Sequence, residues 1–240
     1  MIQTILFDEE GKQYYVNDIS RDFHTKHGFL TAKDLQSKKV IITSNTGHEF
    51  KKLNPTRRDV LDKIKRGPQI ITNKDIGLII TETGLNKDSV VLDAGTGSGA
   101  LACFLAGIVK KVVSYETNEK NIKIAEHNKK TLEIKNLTIK NKDVYDGITE
   151  KDLDVIILDV PEPHHVLKHL KSLKNGGFLV VYLPSLTQVD LFIKEAAKHD
   201  VIVLKTTETL QREWIIKRNI MRPDFSMLGH TAFLTLCRKV

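Results

Sequence analysis

The sequence predicts an α/β protein with a doubly wound, mostly parallel β-sheet and a small β-rich domain in front of it. Two observations carry this prediction. From residue 90 onward, short apolar runs alternate with segments of helical periodicity, which requires a sheet covered by helices on both faces. Residues 1–65 lack that alternation and hold short apolar pieces between turn signals. We therefore place a small β-rich N-terminal domain at residues 1–65 and the α/β domain at residues 66–240.

Turn and capping signals divide the first part of the chain. Three apolar pieces separated by glycine-containing turns predict strands, at residues 2–7, 14–16 and 40–43. Thr56 is placed to cap a helix that carries Asp59 in its first turn. Asn73 is placed to cap a second, amphipathic helix over residues 74–83, which ends at Gly84.

The same alternation gives the order of elements in the α/β domain. Seven apolar runs predict strands, at residues 90–93, 111–115, 137–140, 155–158, 178–183, 201–206 and 231–237. Segments with helical periodicity predict helices between them, at residues 100–109, 119–132 and 188–198. A long basic segment joins the last two strands, so we expect these strands to form an antiparallel pair at the sheet edge. Ligands of such folds bind at the carboxyl ends of the strands.

The first strand ends in a glycine-rich turn, V-V-L-D-A-G-T-G-S-G-A-L, that opens onto a helix. Glycine lets the backbone approach a ligand closely, and amides at a helix start favour an anion. Gly95, Gly97 and Ala100 satisfy the dinucleotide pattern G-x-G-x-x-G/A. Asp93 and the spacing Gly95, Gly97, Gly99 satisfy the pattern of enzymes that use S-adenosylmethionine (SAM). The spacing favours SAM over NAD, and a turn that binds no ligand is the remaining alternative.

Four acidic residues end successive predicted strands. Asp93 ends the first strand, and Glu116, at the tip of the second, is placed to accept both hydroxyls of a ribose. Asp143, after the third, is placed to accept the amine of an adenine ring. Asp159 ends the fourth, beside the expected place of a SAM methyl group. A single acid at a strand end is usually solvated, but four in one register favour SAM more strongly than the glycines do.

The tip of the fourth strand, L-D-V-P-E-P, limits the chemistry. Enzymes that methylate an exocyclic amine typically show [D/N]-P-P-[Y/F] here, and Val160, Pro161 and Glu162 break that pattern. Cytosine C5 methylation needs a cysteine nucleophile near this loop. Cys103 lies in the first helix of the α/β domain and Cys237 in the last strand, so neither fits.

Composition adds an expectation about location. Two cysteines, far apart in apolar surroundings, favour buried reduced thiols over a disulfide or zinc site. No apolar run approaches the roughly 18 residues that span a bilayer. The N-terminus lacks the charge pattern of a signal peptide. We therefore expect a cytoplasmic protein with no membrane association.

The net charge of +7 is concentrated at the two ends of the chain. Residues 1–66 and 211–240 are both basic, whereas residues 67–210 are close to neutral. Basic ends around a neutral catalytic core favour a polyanionic substrate such as a nucleic acid. Ordinary solvated lysines are the alternative, and charge alone does not separate the two.

These motifs together resemble the TrmI-type tRNA (adenine-N1)-methyltransferases. The resemblance rests on V-L-D-A-G-T-G-S-G-A-L, L-D-V-P-E-P, Y-L-P-S-L-T-Q-V, E-T-L-Q-R-E-W and the closing R-P…G-H-T-A-F-L. It extends upstream to F-H-T-K and R-G-P-Q-I-I-T-N-K-D, and so covers most of the chain. It implies methyl transfer from SAM to N1 of a T-loop adenine in tRNA, at position 58 and in archaeal members also at 57. It further implies a homotetramer.

The resemblance also implies site residues. With the strand-end acids it gives the expected SAM contacts, at Gln69, Ile71, Asp93, Gly95, Thr96, Gly97, Ser98, Gly99, Ala100, Glu116, Asp143 and Asp159. With the basic ends it gives the expected tRNA contacts, at Arg57, Arg58, Pro184, Ser185, Gln188, Arg212, Arg222 and His230. Asp159 is the expected catalytic residue, since adenine N1 has its own lone pair and needs only a carboxylate to orient the base and stabilise the developing cation.

Several other features have a functional and a structural interpretation. His164, His165 and His169 with Glu162 suggest a metal site, but the apolar spacing around them indicates an amphipathic helix and methyl transfer from SAM needs no metal. Trp214 is an aromatic that could stack on a base, although core placement is favoured for it. Two functional alternatives also remain: a SAM enzyme for a protein or small molecule, and a non-catalytic tRNA-binding subunit.

Overall fold

The computed structural model describes residues 1–67, 70–217 and 219–240, and for Lys217 the backbone alone. The chain divides into two compact units, Met1–Ile64 and Lys65–Val240. Each has its own set of buried apolar side chains.

The first unit is a small antiparallel β domain. Its elements are β1 (Thr4–Asp8), β2 (Gln13–Val16), β3 (Phe23–Thr25), β4 (Gly28–Leu30), α1 (Ala32–Gln36), β5 (Ile41–Thr43), β6 (Glu49–Leu53) and α2 (Arg57–Leu61). The four-stranded sheet has the order β2-β1-β6-β5, and β3 and β4 form a separate hairpin. Phe50 and Leu6 are fully buried at its centre. The predicted β-rich character is confirmed, and β3, β4 and β6 are strands that the sequence did not indicate.

The second unit carries the α/β elements. They are α3 (Asn73–Thr83), β7 (Val90–Ala94), α4 (Ala100–Leu105), β8 (Lys111–Glu116), α5 (Glu119–Thr131), β9 (Leu137–Asn141), a 3-10 turn (Val144–Asp146), β10 (Leu153–Leu158), a 3-10 helix (Pro163–Ser172), β11 (Leu173–Leu183), α6 (Leu186–Ala196), β12 (Val201–Thr207), β13 (Trp214–Lys217), β14 (Ile220–Pro223) and β15 (Phe233–Lys239).

The main sheet has seven strands in the order β12-β15-β11-β10-β7-β8-β9. The pairs β11-β10, β10-β7, β7-β8 and β8-β9 are parallel, and β15 is antiparallel to both β11 and β12. The predicted fold class is therefore confirmed, including the antiparallel edge. Residues 155–158 of β10 are all buried, as a central strand covered on both faces requires.

Capping explains where several helices begin. Thr56 caps α2 as predicted, and with Asp59 it forms a capping box in which each side chain accepts from the other's backbone amide. The cap of α3 is Thr72 rather than Asn73, because the extended backbone of Thr72 places its carbonyl to accept from the amides of Asp75 and Ile76. Ser185 caps α6, which therefore begins two residues before the predicted start.

Two segments of the second unit form a type of secondary structure that was not predicted for them. The basic segment before the last strand contains the β13-β14 hairpin, which was not predicted because charged residues interrupt its apolar alternation. The amphipathic segment around His165 is a 3-10 helix that begins at Pro163. Across the described ranges, every helix is too short or too polar to cross a bilayer.

Candidate functional site

The cavity at the carboxyl ends of the parallel strands has a volume of about 580 Å³, within the range of small-molecule sites. It lies where the strand order reverses between β7 and β10, the position expected for ligands of open α/β sheets. Its lining comes from the loops after five strands and from the segment before β15: Ile70, Ala94, Gly95, Gly97, Tyr115, Glu116, Thr117, Asn121, Lys142, Asp143, Val144, Tyr145, Asp159, Val160, Pro161, Tyr182, Pro184, Thr231 and Ala232.

The glycine-rich turn forms one wall of this cavity. Gly95, Gly97 and Gly99 all have positive φ, at +93°, +54° and +77°. L-residues with a Cβ rarely adopt such values, so the turn depends on glycine at these three positions. The amide of Gly95 donates to the carbonyl of Tyr115 over 3.0 Å, which anchors the turn to β8.

Asp93 lies beneath the turn rather than in the cavity. Its side chain is buried and accepts a hydrogen bond of 2.6 Å from the Ser114 hydroxyl on β8. The Thr96 hydroxyl in turn lies 2.6 Å from Ser114. Burial raises the pKa of Asp93 to about 6, against the lowering effect of the Ser114 bond. Through Ser114, the Asp93 carboxyl group is therefore linked to Thr96 of the glycine-rich turn.

Glu116 ties the turn to the tip of β8. Its Oε2 accepts from the Gly97 amide over 2.8 Å, and its Oε1 accepts from the amides of Thr117 and Asn118, each over 2.9 Å. These bonds hold the carboxylate at the cavity wall in one orientation. Ligand hydroxyls at this wall would meet a preorganised acceptor.

Asp143 and Lys142 line the cavity after β9. Asp143 Oδ1 accepts from the Tyr145 amide over 2.9 Å and so caps the short 3-10 turn. In the part of the chain that the structure describes, Asp143 Oδ2 has no hydrogen-bond partner. The Lys142 ammonium lies 5.1 Å from the centre of the Tyr115 ring. Sequence reasoning did not single out Lys142, because a lysine after a strand carries no motif.

Asp159 lines the cavity at the end of β10. Its amide donates to the Ala94 carbonyl over 2.9 Å, which continues the β10-β7 pairing by one residue. Its carboxylate receives no hydrogen bond from the described residues. Burial and the nearby charge of Asp93 raise the pKa of Asp159 to about 7. A largely buried carboxylate without a donor is a typical feature of a functional site.

The wall formed by Tyr182, Pro184 and Thr231 was only partly anticipated. Pro184 was an expected tRNA contact, whereas Tyr182 and Thr231 appeared only inside motifs of the resemblance. Tyr182 OH donates to Asp75 Oδ2 over 3.1 Å, and Lys74 Nζ donates to Thr231 Oγ1 over 2.7 Å. The signal for Tyr182 was its place at the end of the fifth predicted strand, next to the strand that carries Asp159.

Of the other expected cofactor residues, those that the structure describes do not line the cavity. Gln69 lies outside the described residues. Ile71 is buried, and its neighbour Ile70 lines the cavity instead. Thr96 and Ser98 are buried within the turn, and Ala100 begins α4. Their contact with a cofactor stays a prediction.

The expected tRNA contacts are distributed over both units. In the first unit Arg58 pairs with Asp62 through Nε and Oδ2 at 3.3 Å. In the second, the guanidinium of Arg222 stacks on Phe225 at 4.2 Å. Arg57, Arg212 and His230 are exposed. Ser185 and Gln188 are partly exposed, and Ser185 follows Pro184, which lines the cavity. Gln188 Nε2 donates to the carbonyl of Pro161, a residue of the cavity.

The structure shows the surroundings of two features that the sequence left open, Trp214 and the group of histidines near Glu162. Trp214 is 58% exposed on the β13-β14 hairpin, so the expectation of a core position was wrong: a two-stranded hairpin outside the main sheet cannot cover both of its faces. His169 is not grouped with the other histidines, since its Nε2 lies 2.9 Å from the Tyr145 carbonyl. Ligand atoms of Glu162, His164 and His165 do lie within 4.8 Å of one another at the start of the 3-10 helix, where His164 is partly buried.

Comparison with known proteins agrees with this architecture. Residues 61–227 match the family model described as tRNA methyltransferase complex GCD14 subunit. The chain is 32% identical to the tRNA (adenine(57)-N(1)/adenine(58)-N(1))-methyltransferase TrmI of Methanocaldococcus jannaschii, over 98% of this chain and 94% of that protein. Among solved structures, the tRNA (m1A58) methyltransferase TrmI of Aquifex aeolicus is similar with a TM-score of 0.82 and 28% identity, covering 99% and 96% of the two chains. A SAM-dependent O-methyltransferase of Thermotoga maritima is similar with a TM-score of 0.87 and 29% identity, covering 100% and 93%.

Proposed function

The chain belongs to the TrmI-type family of tRNA (adenine-N1)-methyltransferases, and we propose that it transfers a methyl group from SAM to N1 of adenine 58 in the T-loop of tRNA. Adenine 57 is the second target to test, because the M. jannaschii relative is named for both positions. The observation that carries the proposal is Asp159, a carboxylate without a donor among the described residues, in the cavity beside the glycine turn.

The cavity fits SAM in three respects. Its volume suits a nucleoside-sized ligand. Gly95 and Gly97 line the cavity with no side chain between their backbone and a ligand. Glu116 supplies a fixed carboxylate for the ribose hydroxyls, and Asp143 Oδ2 an acceptor for the adenine amine. Gln69, Ile71, Asp93, Thr96, Ser98, Gly99 and Ala100 complete the proposed cofactor site.

Asp159 accounts for the chemistry of the transfer. When bound, SAM supplies an electrophilic methyl group on a positively charged sulfur. The N1 lone pair of adenine forms the new bond as the carbon–sulfur bond breaks, so the protein needs no nucleophile of its own. The methylated ring carries a positive charge. Asp159, accepting from the N6 amine, would orient N1 and stabilise that charge by roughly 2–4 kcal/mol.

The non-catalytic alternative is disfavoured by the same residues. A subunit that had lost activity would be free to lose the glycine turn or the acid after β10, and this chain keeps both. The O-methyltransferase neighbour keeps the other alternative, a different SAM substrate, open to experiment.

Binding of tRNA requires that the target base leave the T-loop, at a cost of a few kcal/mol. Phosphate contacts from basic residues would offset that cost. We assign these contacts to Arg57, Arg58, Arg212 and Arg222. The residues beside the cavity that we expect to meet the tRNA are Pro184, Ser185, Gln188 and His230.

We also propose a homotetramer. Large apolar side chains are exposed on the edge strand β12, where Ile202 and Leu204 are each about half exposed, and on the β13-β14 hairpin, where Ile216 and Met221 are more than two-thirds exposed. Exposed apolar surface of this kind commonly marks protein–protein contact. Light scattering on purified protein tests the proposal, and a monomer at micromolar concentration would contradict it.

The decisive experiment for function is methylation of an unmodified tRNA transcript, followed by mapping of the product by mass spectrometry. We expect 1-methyladenosine at position 58. Transcripts in which adenine 57 or adenine 58 is replaced by guanine assign the methyl group to one position or both. Absence of 1-methyladenosine, with SAM consumed on a protein or small molecule instead, would favour the alternative substrate.

A further inference from the structure

A buried ion pair is hydrogen-bonded to two residues that line the cavity, Tyr182 and Thr231. Asp75 is fully buried in the first turn of α3. Lys74 Nζ donates to its Oδ1 over 2.7 Å. Its Oδ2 accepts from the hydroxyl of Thr72 over 3.0 Å and from that of Tyr182 over 3.1 Å. The Asp75 carboxylate thus joins the start of α3 to the end of β11.

Lys74 extends this network to a second residue of the wall. Its ammonium donates to Thr231 Oγ1 over 2.7 Å, and its side chain is only 10% exposed. Tyr182 and Thr231 both line the cavity with Asp159, whereas Lys74 and Asp75 do not. Two adjacent residues of α3 therefore hold two residues of the cavity that lie far from them in sequence.

We propose that Asp75 and Lys74 are positioning residues for methyl transfer, which act by fixing the Tyr182 ring and the Thr231 side chain in the wall that meets the target adenine. This inference rests on the proposed function of the cavity. The Tyr182 hydroxyl donates to Asp75 and is also hydrogen-bonded with Thr231, so Tyr182 presents its ring rather than a free hydroxyl to the cavity.

Energetics argue that the pair does more than hold the fold together. A buried ion pair often contributes no more stability than apolar side chains of similar size, because both charges lose their hydration. What such a pair does supply is a single geometry, since the Lys74 ammonium and the Tyr182 hydroxyl each meet acceptors at fixed places. Displacement of a substrate-positioning group by about 1 Å can lower a rate by ~100-fold. The placement of Tyr182 is therefore the property to test.

The test is a double-mutant cycle on Asp75 and Tyr182, measured by single-turnover methylation of tRNA at saturating SAM and tRNA. Asp75→Asn removes the charge that holds Lys74 and the Tyr182 hydroxyl. Tyr182→Phe removes only that hydroxyl. We expect each to lower the rate by roughly 10–100-fold, and the double variant to be no slower than the slower single variant, because the hydroxyl that Tyr182→Phe removes donates to the carboxylate that Asp75→Asn neutralises. SAM affinity by calorimetry should change less than about threefold in each.

Thr83→Val is the matched control. Thr83 is buried at the other end of α3, and its hydroxyl donates to the Ile79 carbonyl over 2.6 Å. The variant should lower the unfolding temperature without lowering the rate. Additive losses in the double variant, or a rate loss in Thr83→Val as large as that in Asp75→Asn, would overturn the positioning role.

Two further comparisons cover the cases in which Asp75→Asn does not fold or the wild-type protein is inactive. If Asp75→Asn does not fold, Lys74→Met and Tyr182→Phe are measured as single variants, because Lys74 holds Thr231 and Asp75 holds the Tyr182 hydroxyl. Each should lower the rate by roughly 10–100-fold with SAM affinity nearly unchanged, and a wild-type rate in both would overturn the role. An inactive wild type would refute the proposed function, whereas an active wild type with additive variants would refute only this inference.

Discussion

Gly95 lies directly against the backbone of Asp159. A Cβ placed on Gly95 would overlap the Asp159 carbonyl oxygen and lie 3.5 Å from the Asp159 Cβ. The glycine turn after β7 and the acid after β10 are therefore packed together, as neighbouring parallel strands allow. The first glycine of the turn thus sets the position of the proposed catalytic carboxylate as well as the approach of the cofactor.

Gly95→Ala should therefore impair catalysis beyond its effect on the backbone. The methyl group must displace Asp159, so we expect weaker SAM binding by calorimetry and a rate of methyl transfer at least tenfold lower. Gly84→Ala is the control, since Gly84 also has a positive φ, +63°, but an added Cβ would meet nothing within 4 Å. That variant should lose about 1–2 kcal/mol of stability and keep its rate. Equal rates in the two variants would refute the packing argument.

The second prediction concerns the charge of Asp159. Asp159→Ala should lower the single-turnover rate by roughly 10²–10³-fold, because one well-placed electrostatic group is removed. Asp159→Asn should also be slow, since an amide accepts a hydrogen bond but supplies no negative charge. Saturating SAM and tRNA separate chemistry from binding. A near-normal rate in Asp159→Asn would mean that the residue supplies geometry rather than charge.

The raised pKa of Asp159 predicts a dependence on pH. Only the ionised carboxylate can stabilise the cationic ring, and burial beside Asp93 raises the pKa of Asp159 to about 7. The single-turnover rate should therefore rise with pH to a plateau, with a midpoint no higher than about 7 because the positive charge of SAM favours ionisation. The residual rate of Asp159→Asn should lack this rise.

The same pKa has a consequence for stability. Because the folded-state pKa lies above the ordinary value of about 3.9, the folded protein binds this proton more tightly, and stability falls as pH rises toward 7. Asp159→Asn should thus raise the unfolding temperature more at pH 8 than at pH 5, by an amount on the order of a few degrees. An equal effect at both pH values would indicate that Asp159 is ionised throughout.

The sequence predicted the acids of the site better than its walls. Glu116, Asp143 and Asp159 were predictable because parallel strands end at one edge of a sheet, so residues just after them converge. The bond between Asp75 and Tyr182 was not predictable, because it joins residues 107 positions apart through the packing of a helix against the sheet. No local pattern records such a contact.

The distribution of charged residues along the sequence also predicted only part of the structure. The excess of basic residues at the two ends was visible, but its distribution over exposed and paired side chains was not. Arg58 pairs with Asp62 at 3.3 Å, and the Arg222 guanidinium is stacked on Phe225. The sequence spacing of these residues does not determine either contact, since each depends on which side-chain rotamer the surroundings allow.

A further prediction tests those basic residues. Neutralising Arg57 and Arg58 together, or Arg212 and Arg222 together, should weaken tRNA binding and reduce the slope of log K against log salt by about one to two. SAM binding should not change. Lys38→Gln with Lys39→Gln removes the same charge from exposed positions of the first unit and is the control. Slopes identical to wild type in both arginine variants would show that the basic residues at the two ends of the chain do not contribute to tRNA binding.

The last prediction concerns His230, whose ring bridges two acceptors. Nδ1 lies 2.6 Å from Glu208 Oε1, and Nε2 lies 2.9 Å from the Pro184 carbonyl. A carbonyl and a carboxylate can only accept, so only the cationic imidazole, in which both ring nitrogens donate, can make both hydrogen bonds at once. The bond to Glu208, and after it the bond to Pro184, raises the pKa of His230 above its ordinary value. The contact is therefore complete below about pH 6.5 and is lost as pH rises through the folded-state pKa.

Glu208→Gln should lower the pKa of His230, measured by NMR titration of its ring nitrogens, and should reduce the unfolding temperature more at pH 6 than at pH 9. Glu213→Gln is the control, since Glu213 is an exposed acid whose side chain accepts from Gln211 rather than from a histidine. Because Pro184 lines the cavity, release of His230 at high pH should also weaken tRNA binding in the wild type. A ring that is neutral at pH 6 in the wild type would refute the assignment, because one of its nitrogens would then face an acceptor without a proton to donate.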